Sequence, residues 1–164
     1  MFESHFPSNA VVIRFGTNTP FYLLTLSYGI FYDPSLRKHF TSLDAYIGYH
    51  MLVRNQDRQD VMRAPNGYIA HLNLLDVFEH NPNEDLIAPN WEQDRREILL
   101  TGLRLKYSQS SCMTEVLTRT RDRPIFDASR WEDTYFGIGD GTGLNMHGQL
   151  LEQVRTELLS GELA

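Results

Sequence analysis

Residues 131–148 combine acidic, aromatic and glycine side chains in one short stretch: Trp-Glu-Asp-Thr-Tyr-Phe-Gly-Ile-Gly-Asp-Gly-Thr-Gly-Leu-Asn-Met-His-Gly. Glycines at this density disfavour both helix and strand, so we expect a loop whose backbone can approach a ligand closely. An apolar run with helical spacing follows, with Leu150, Leu151, Val154 and Leu158 on one face. A carboxylate, two aromatic rings, a glycine loop and a helix N-terminus are typical of a site for a phosphate-bearing small molecule.

The elements that must position this loop are mostly helical. Aromatic and β-branched residues near the start of the chain predict strands over residues 10–15 and 21–32. A chain of 164 residues without a long linker favours one domain over 1–164, so we expect a mostly helical α+β domain with a small N-terminal β-rich part. Helical periodicity and capping signals predict helices over 42–54, 57–63, 68–78, 91–108, 112–119 and 146–160, and a short strand over 124–126.

Two of these helices carry more specific signals. Leu72, Leu75 and Phe78 fall on one side of the third helix. Asn90 immediately precedes the fourth and longest helix, where an amide side chain is suited to cap it.

Charge and cysteine content narrow the classes of function. The net charge of −6 argues against a protein that holds duplex DNA through a general basic field. The run Arg119, Arg121 and Arg123 is expected to be a solvated face, with a local basic patch as the alternative. The single Cys112 cannot form an internal disulfide, and the histidines lack the paired spacing of a zinc site. We therefore expect a reducing compartment and no metal.

No stretch has the pattern of a membrane segment. The longest apolar run near the start, residues 21–26, is too short to span a bilayer and lacks the flanks of a signal peptide. These observations favour a cytoplasmic protein.

Several motifs together resemble those of the NADAR family of YbiA-like proteins, once catalogued as a domain of unknown function. Residues 90–92 and 102–109 resemble the family's NWxxxR…ALxxKFxQ helix. Residues 133–137 resemble its DxxWG element, 143–148 its GxNxxG element and 150–155 its LLMxxR helix. Residues 41–46 occupy the place of its TxEHYxQ-type helix start, so the resemblance covers about residues 40–160, in the family's order.

The chain departs from the family pattern at several positions. Asp44 stands where the family has a glutamate, Gly48 where it has a glutamine, and Phe136 where it has a second tryptophan. The family's N-terminal FSNF has no clear counterpart in residues 21–24. These differences favour a divergent branch of the family with an altered choice of substrate.

The resemblance implies an α+β protein that hydrolyses an N-glycosidic bond to a phosphorylated ribose, without a cofactor. The implied substrates are ADP-ribosylated guanine in nucleic acid and phosphoribosylamino intermediates near riboflavin synthesis. Because Asp44 and Phe136 depart from the family pattern, a further hypothesis stays open: the protein binds an ADP-ribose or NAD-type nucleotide without turning it over. A modified base must enter a closed pocket, so we expect single-stranded or flipped-out nucleotides to react faster than duplex.

Two carboxylates are the candidate catalytic groups. Such a reaction passes through an oxocarbenium-like state, which a carboxylate can stabilise or to which it can direct water. Asp133 is our first choice for this role, although an aspartate there could simply form a turn. Asp44 could orient the ribose hydroxyls or share the acid–base work, or could only close a capping box with Thr41.

The remaining candidates would bind the substrate. Trp91, at the start of the long helix, could stack on a base or ribose face, as could Tyr135 and Phe136. Tyr46 is more typical of a core residue and is a weaker candidate. Gly137, Gly143 and Asn145 could present backbone amides to a diphosphate at the start of the last helix. His147 could carry a proton, but the resemblance does not require it and we do not assign it a role.

Overall fold

A computed structural model of the chain describes residues 6–14, 20–82, 85–130 and 132–163. Trp131 and residue 15 of the first predicted strand lie outside these ranges. Within them the strands are β1 Val11–Ile13, β2 Phe31–Asp33, β3 Lys38–Phe40 and β4 Ile125–Asp127. The helices are α1 Leu43–Met51, α2 Asn55–Met62, α3 Gly67–His80, α4 Trp91–Ser108, α5 Ser111–Thr118 and α6 Met146–Ser160, with a 3₁₀ helix at Pro20–Leu24. The fold is therefore α+β and mostly helical.

The chain divides into two compact units. The first unit comprises residues 1–25 and 110–164, and the second unit comprises residues 26–109. The prediction of a single domain over 1–164 stays a prediction, and each unit is described below by itself.

The second unit is built from α1 to α4 and a short hairpin. β2 and β3 pair antiparallel, with Phe31 opposite Phe40. The hairpin turn is held by Asp33, whose Oδ1 accepts hydrogen bonds from the backbone of Ser35 and Leu36 and from the Ser35 hydroxyl. α1 packs against α2, α3 and α4 around a fully buried apolar core that includes Leu43, Leu52, Leu99, Leu103 and Tyr107.

The first unit places a helix against a two-stranded parallel sheet. β1 and β4 pair in register from Val11 opposite Ile125 to Ile13 opposite Asp127. α6 packs on β4 and α5 packs on α6, burying one helical face that includes Leu150, Leu151 and Val154. Parallel strands cannot be joined by a tight turn, and β4 follows β1 by more than a hundred residues in the sequence.

The structure confirms the six predicted helices, with α4 and α6 beginning and ending within a residue of the predicted bounds. The prediction of a strand over 21–32 is wrong at its start, because Pro20–Leu24 forms a 3₁₀ helix and the strand begins only at Phe31. β3 was not predicted. Strands of three residues bury too few side chains to leave a clear alternating pattern.

The side of α3 that carries Leu72 and Leu75 is not the side that it buries. Leu72 and Leu75 are 40% and 49% exposed, and the residues that α3 buries are Gly67 and Ala70. A Cβ added at Gly67 would lie 2.3 Å from the Ser27 Cα, so the backbone of α3 approaches its neighbour too closely for a larger side chain. α3 therefore packs through its small residues, Gly67 and Ala70, rather than through its large apolar side chains.

The predicted cap at Asn90 is only half correct. Asn90 does occupy the N-cap position of α4, but its side chain makes no capping hydrogen bond. Its backbone carbonyl instead accepts from the amides of Gln93 and Asp94.

None of the helices in the described part of the chain has both the length and the apolar character that crossing a bilayer requires.

Candidate functional site

The glycine loop between β4 and α6 closes on itself through backbone hydrogen bonds. The amides of Leu144, Met146 and His147 donate to the carbonyls of Thr134, Tyr135 and Phe136 over 2.8, 3.1 and 2.8 Å. The amides of Gly141 and Gly143 both donate to the Ile138 carbonyl. Two of the donors predicted to face a diphosphate are thus engaged within the loop: the Gly143 amide, and the Asn145 amide, which donates to the Gly137 carbonyl over 3.0 Å.

The predicted substrate-binding glycines pack where no side chain would fit. A Cβ added at Gly143 would lie 2.5 Å from the Gly137 carbonyl oxygen. One added at Gly137 would lie 2.9 Å from the Asp127 carbonyl oxygen and 3.1 Å from that of Asp133. Gly137 and Gly143 therefore let the two sides of the loop approach each other, a structural role that their sequence spacing did not reveal.

Asn145 ties the loop to β4. Its backbone is left-handed, with φ of 53°. Its side-chain Oδ1 accepts from the Asp127 amide over 2.9 Å, and its Nδ2 donates to the Ile125 carbonyl over 2.8 Å. The buried amide side chain thus pairs with β4 as a neighbouring strand would, and it holds the start of α6 against the strand.

Asp133, the first-choice catalytic residue, is half-buried and oriented by the backbone. Its Oδ1 accepts from the amides of Tyr135 and Phe136 over 3.2 and 2.8 Å. This is the turn-forming arrangement that the sequence left open. Oδ2 makes no hydrogen bond to any described residue, so the turn fixes the carboxylate while leaving one oxygen for other chemistry.

Tyr135 and Phe136 form the expected aromatic pair beside Asp133. Their ring centroids are 5.0 Å apart and the planes meet at 80°, an edge-to-face contact. Both side chains are half-buried, so each retains accessible ring surface.

A buried hydrogen bond between Asp127 and His147, which the sequence analysis did not assign, lies beside the loop. His147 is fully buried, and its Nδ1 lies 2.6 Å from Asp127 Oδ2. Burial by itself raises the pKa of Asp127, but hydrogen bonds from His147 and Ser129 outweigh this and hold that pKa below its usual value. His147 Nε2 has no hydrogen-bond partner among the described residues. The geometry gives the pair a positioning role, because it joins the end of β4 to the first turn of α6.

A cavity of about 630 Å³ opens beside the same loop. Phe6, Phe126, Ile138 and Leu144 supply apolar walls, and Glu152 adds a carboxylate. Its size falls in the range of small-molecule sites. Of the predicted site residues in this unit, Gly143 and Asn145 line the cavity, whereas Asp133, Tyr135, Phe136 and Gly137 are not among its lining residues.

Asp44, the second candidate catalytic residue, belongs to the second unit. Its side chain is almost fully buried, and its Oδ2 accepts a hydrogen bond of 2.5 Å from the Ser27 hydroxyl. The capping-box alternative with Thr41 is wrong: Ser42 caps α1 by accepting from the Ala45 amide, while Thr41 donates to the Ala64 carbonyl. A buried carboxylate that the cap does not require is consistent with a role at a site.

Tyr46 and Trp91 are core residues of the second unit. Tyr46 is 2% exposed, contacts the rings of Phe31 and Phe40, and donates from its hydroxyl to Asp33 Oδ2 over 3.1 Å. Burial raises its pKa above the usual value, so the phenol stays protonated. Trp91 is 5% exposed in the first turn of α4. Neither side chain offers a large open face for stacking.

The structure thus distributes the nine predicted residues over both units. Asp44, Tyr46 and Trp91 lie in the second unit, and Asp133, Tyr135, Phe136, Gly137, Gly143 and Asn145 lie in the first.

Sequence reasoning missed Asp127. The signal that could have found it was an aspartate at the end of a strand before the glycine loop. It also missed Lys106, a fully buried lysine within the resemblance-bearing part of α4. Among described residues, no group of three or more His, Cys, Asp or Glu is placed to hold a metal.

Comparisons with known proteins agree with the sequence motifs. The NADAR domain profile matches residues 19–159. A chloroplastic riboflavin biosynthesis protein PYRR from Zea mays is 32% identical over 76 residues, which are 46% of this chain but only 12% of the maize protein's length. The NMR structure of the Escherichia coli protein YbiA matches with a TM-score of 0.72 and 20% identity, over 93% of this chain and 88% of that one, a likeness that shows the fold. The match to the family profile covers most of the sequence, and the chain belongs to the NADAR family.

Proposed function

We propose that this protein is an N-glycosidase that hydrolyses the bond between a base and a phosphorylated ribose, and that it removes ADP-ribose from a modified guanine in nucleic acid. Membership in the NADAR family supports the reaction class. The observation that carries the proposal is the state of Asp133, a half-buried carboxylate that two backbone amides hold by one oxygen only.

The chemistry follows from that arrangement. Cleavage at the anomeric carbon develops positive charge on the ribose, and a fixed carboxylate oxygen stabilises it without reorganising. The free Oδ2 of Asp133 either contacts the developing cation or takes a proton from the attacking water. Tyr135 and Phe136, whose backbone amides orient Asp133, supply ring surface for the base or the sugar.

Asp44, in the second unit, is a separate candidate for orienting ribose hydroxyls, which its place in the family pattern supports. The Ser27 hydroxyl donates a hydrogen bond to its Oδ2. An aspartate is one methylene shorter than the glutamate that the family pattern has here, and this shortening shifts the carboxylate relative to a bound ribose. Asp44→Glu therefore tests whether the altered reach sets the substrate.

The experiment is to incubate the purified protein with ADP-ribosylated DNA, ADP-ribosylated protein, NAD and a phosphoribosylamino pyrimidine, and to detect released sugar phosphate by mass spectrometry. The proposal expects free ADP-ribose from the DNA and loss of that product in Asp133→Asn. Asp76→Asn, which removes an exposed carboxylate on α3, is the matched control and keeps wild-type activity.

The similarity to the maize PYRR protein favours a second candidate function. In this alternative the same carboxylates hydrolyse a phosphoribosylamino pyrimidine, because that substrate has the same N-glycosidic bond. Ribose 5-phosphate released from this substrate alone would favour the alternative. Nucleotide affinity with no product from any substrate after prolonged incubation would instead favour a binding protein that does not turn its ligand over.

A further inference from the structure

A second cavity in the first unit, of about 760 Å³, gathers the arginines of one short segment. Arg119, Arg121 and Arg123 line it, together with Phe21 and Asp122. The sequence alone favoured a solvated face for these arginines over a local basic patch. Their arrangement around one concave surface favours the patch, with three positive side chains against one negative one.

Arg123 is held in a fixed orientation. Its Nε donates to the Thr120 carbonyl over 3.1 Å and its Nη2 to the Arg119 carbonyl over 3.2 Å. The guanidinium lies 5.1 Å from the centre of the Phe21 ring, a cation–π contact. A guanidinium has five N–H donors, so these contacts orient Arg123 and leave donors for an anion.

Arg119 and Arg121 are both exposed and available. Arg121 has a left-handed backbone, with φ of 54°, and its side chain makes no hydrogen bond or ion pair to a described residue. Arg119 pairs with Glu115 over 2.5 Å, but an exposed pair one helical turn apart stabilises a protein little. An incoming phosphate can therefore displace Glu115 at small cost.

The segment that carries these arginines is fastened to α6. Arg155 is 6% exposed, and its Nη1 donates to the Thr120 hydroxyl and to the Arg123 carbonyl, both over 2.8 Å. The buried guanidinium thus fixes the backbone on which the arginines stand. A preformed cavity with fixed donors loses less conformational entropy on binding than a set of mobile surface arginines.

We infer that this cavity is a phosphate-binding subsite, in which Arg119, Arg121 and Arg123 take the phosphate groups of a nucleotide or of a single-stranded nucleic acid. The inference does not rest on the proposed hydrolysis. It concerns binding of unmodified phosphates, and binding without cleavage or cleavage without this binding would separate the two proposals.

The test measures binding of a fluorescein-labelled single-stranded dT10, of AMP and of inorganic pyrophosphate to the full chain. Arg119→Gln and Arg121→Asn each remove one charge, and asparagine tolerates the left-handed backbone at position 121. Arg63→Gln, an exposed arginine of the second unit, is the matched control. Glu115→Gln removes the competitor for Arg119. Thermal unfolding of each variant establishes that it folds.

We expect Arg119→Gln and Arg121→Asn to weaken binding about three- to tenfold each without a loss of thermal stability. Glu115→Gln tightens binding, and Arg63→Gln leaves it unchanged. For dT10, log affinity falls with log salt concentration with a slope of about −2, because each single-strand phosphate contact contributes about −0.7; each arginine variant reduces this slope by one contact.

The probes identify the source of the phosphate. Binding of dT10 with that slope identifies a strand, and tight binding of AMP or pyrophosphate with equal loss in the variants identifies a small phosphorylated ligand. Either result supports the subsite. If none of the probes binds, or if Arg63→Gln weakens binding as much as Arg119→Gln and Arg121→Asn do, the inference is overturned.

Discussion

Single residues in this protein serve structure and the proposed chemistry at the same time. Asp133 forms a turn through Oδ1 and leaves Oδ2 free, so the two roles that the sequence left as alternatives are compatible in one side chain. From the sequence, the position of Asp133 before the glycine loop made it a candidate for catalysis or for forming a turn. The sequence could not predict that both backbone amides would engage the same carboxylate oxygen, because that depends on the dihedral angles of the following two residues.

The two substitutions that separate these roles are Asp133→Asn and Asp133→Ala. Asparagine keeps Oδ1 as an acceptor for the amides of Tyr135 and Phe136, so we expect wild-type thermal stability and a kcat lower by about 10²- to 10⁴-fold. Alanine removes both functions and should lower kcat equally while also lowering Tm. Steady-state kinetics and thermal unfolding measure the two effects, and full activity of Asp133→Asn would remove Asp133 from the mechanism.

The buried Asp127–His147 pair predicts a loss of stability at acid pH. The folded-state pKa of Asp127 is below its ordinary value of 3.8, so the unfolded chain binds the proton more tightly. The contribution of this carboxylate to folding is therefore complete above pH 3.8 and is lost as the pH falls through the lower folded-state pKa. Urea denaturation at a series of pH values measures it.

Asp127→Asn is the control for that titration. At neutral pH it should cost on the order of 2 kcal/mol, because it replaces the charged acceptor of a buried hydrogen bond by a neutral amide. The difference in unfolding free energy between wild type and this variant should then shrink below pH 4. A difference that stays constant from pH 7 to pH 3 would show that Asp127 does not stabilise the fold as a carboxylate.

Among the elements, the helices and the strands β1 and β4 could be predicted, whereas β3 and the start of β2 could not. α4 and α6 have many turns over which the apolar period repeats, and their bounds follow from it. β2 and β3 consist of three residues each, and a 3₁₀ helix occupies a segment whose aromatic content suggested a strand. The close approach of the α3 backbone at Gly67 to the Ser27 backbone depends on the tertiary structure, so the spacing of apolar residues could not predict it.

The packing of α6 against β4 predicts that one methyl group added at Gly148 lowers the free energy of unfolding substantially. A Cβ added at Gly148 would lie 2.2 Å from the Ile125 carbonyl oxygen and 2.5 Å from Asn145 Nδ2. Gly148→Ala should therefore destabilise the protein by about 3 kcal/mol, because backbone must move. Gly161→Ala is the matched control: its φ is 79° and an added Cβ would meet no atom of a more distant described residue within 4 Å, so it should cost only about 1 kcal/mol of backbone strain. Equal costs in chemical denaturation would contradict the packing described for α6.

The exposed apolar face of α3 predicts small effects of truncation. Leu72→Ala and Leu75→Ala should each change the free energy of unfolding by about 0.5 kcal/mol or less, since these side chains are 40% and 49% exposed. Leu99→Ala, at a fully buried position of α4, should cost about 2 to 5 kcal/mol. A cost above 2 kcal/mol at Leu72 would mean that this side chain is buried in the folded protein.

At the scale of the whole molecule, the family is shown, whereas the reaction and its substrate are proposals. The NADAR profile covers residues 19–159, and both units contribute predicted site residues. Sequence motifs identified the family because they lie on α1, α4, α6 and the glycine loop, which are well-formed elements. They could not identify the leaving base, because the residues at which this chain departs from the family pattern, Asp44 and Phe136, are the ones expected to contact the substrate.

The net charge of −6 predicts a preference among nucleic acid forms. An acidic protein gains little from the dense charge of a duplex, so the pocket must supply most of the affinity. We expect ADP-ribosylated guanine to be released at least tenfold faster from a single strand than from a stable duplex of the same sequence, because the base must leave the stack to react. Single-turnover rates on the two substrates measure this ratio, and equal rates would count against a closed pocket.

The most direct measurement of the central claim is the release of ADP-ribose from single-stranded DNA carrying ADP-ribosylated guanine, followed by mass spectrometry with wild-type protein, Asp133→Asn and Asp76→Asn side by side. The account predicts free ADP-ribose and unmodified DNA with wild type and Asp76→Asn, and a rate lower by at least about a hundredfold with Asp133→Asn. Unchanged DNA after prolonged incubation with folded wild-type protein, or equal release by Asp133→Asn, would contradict it.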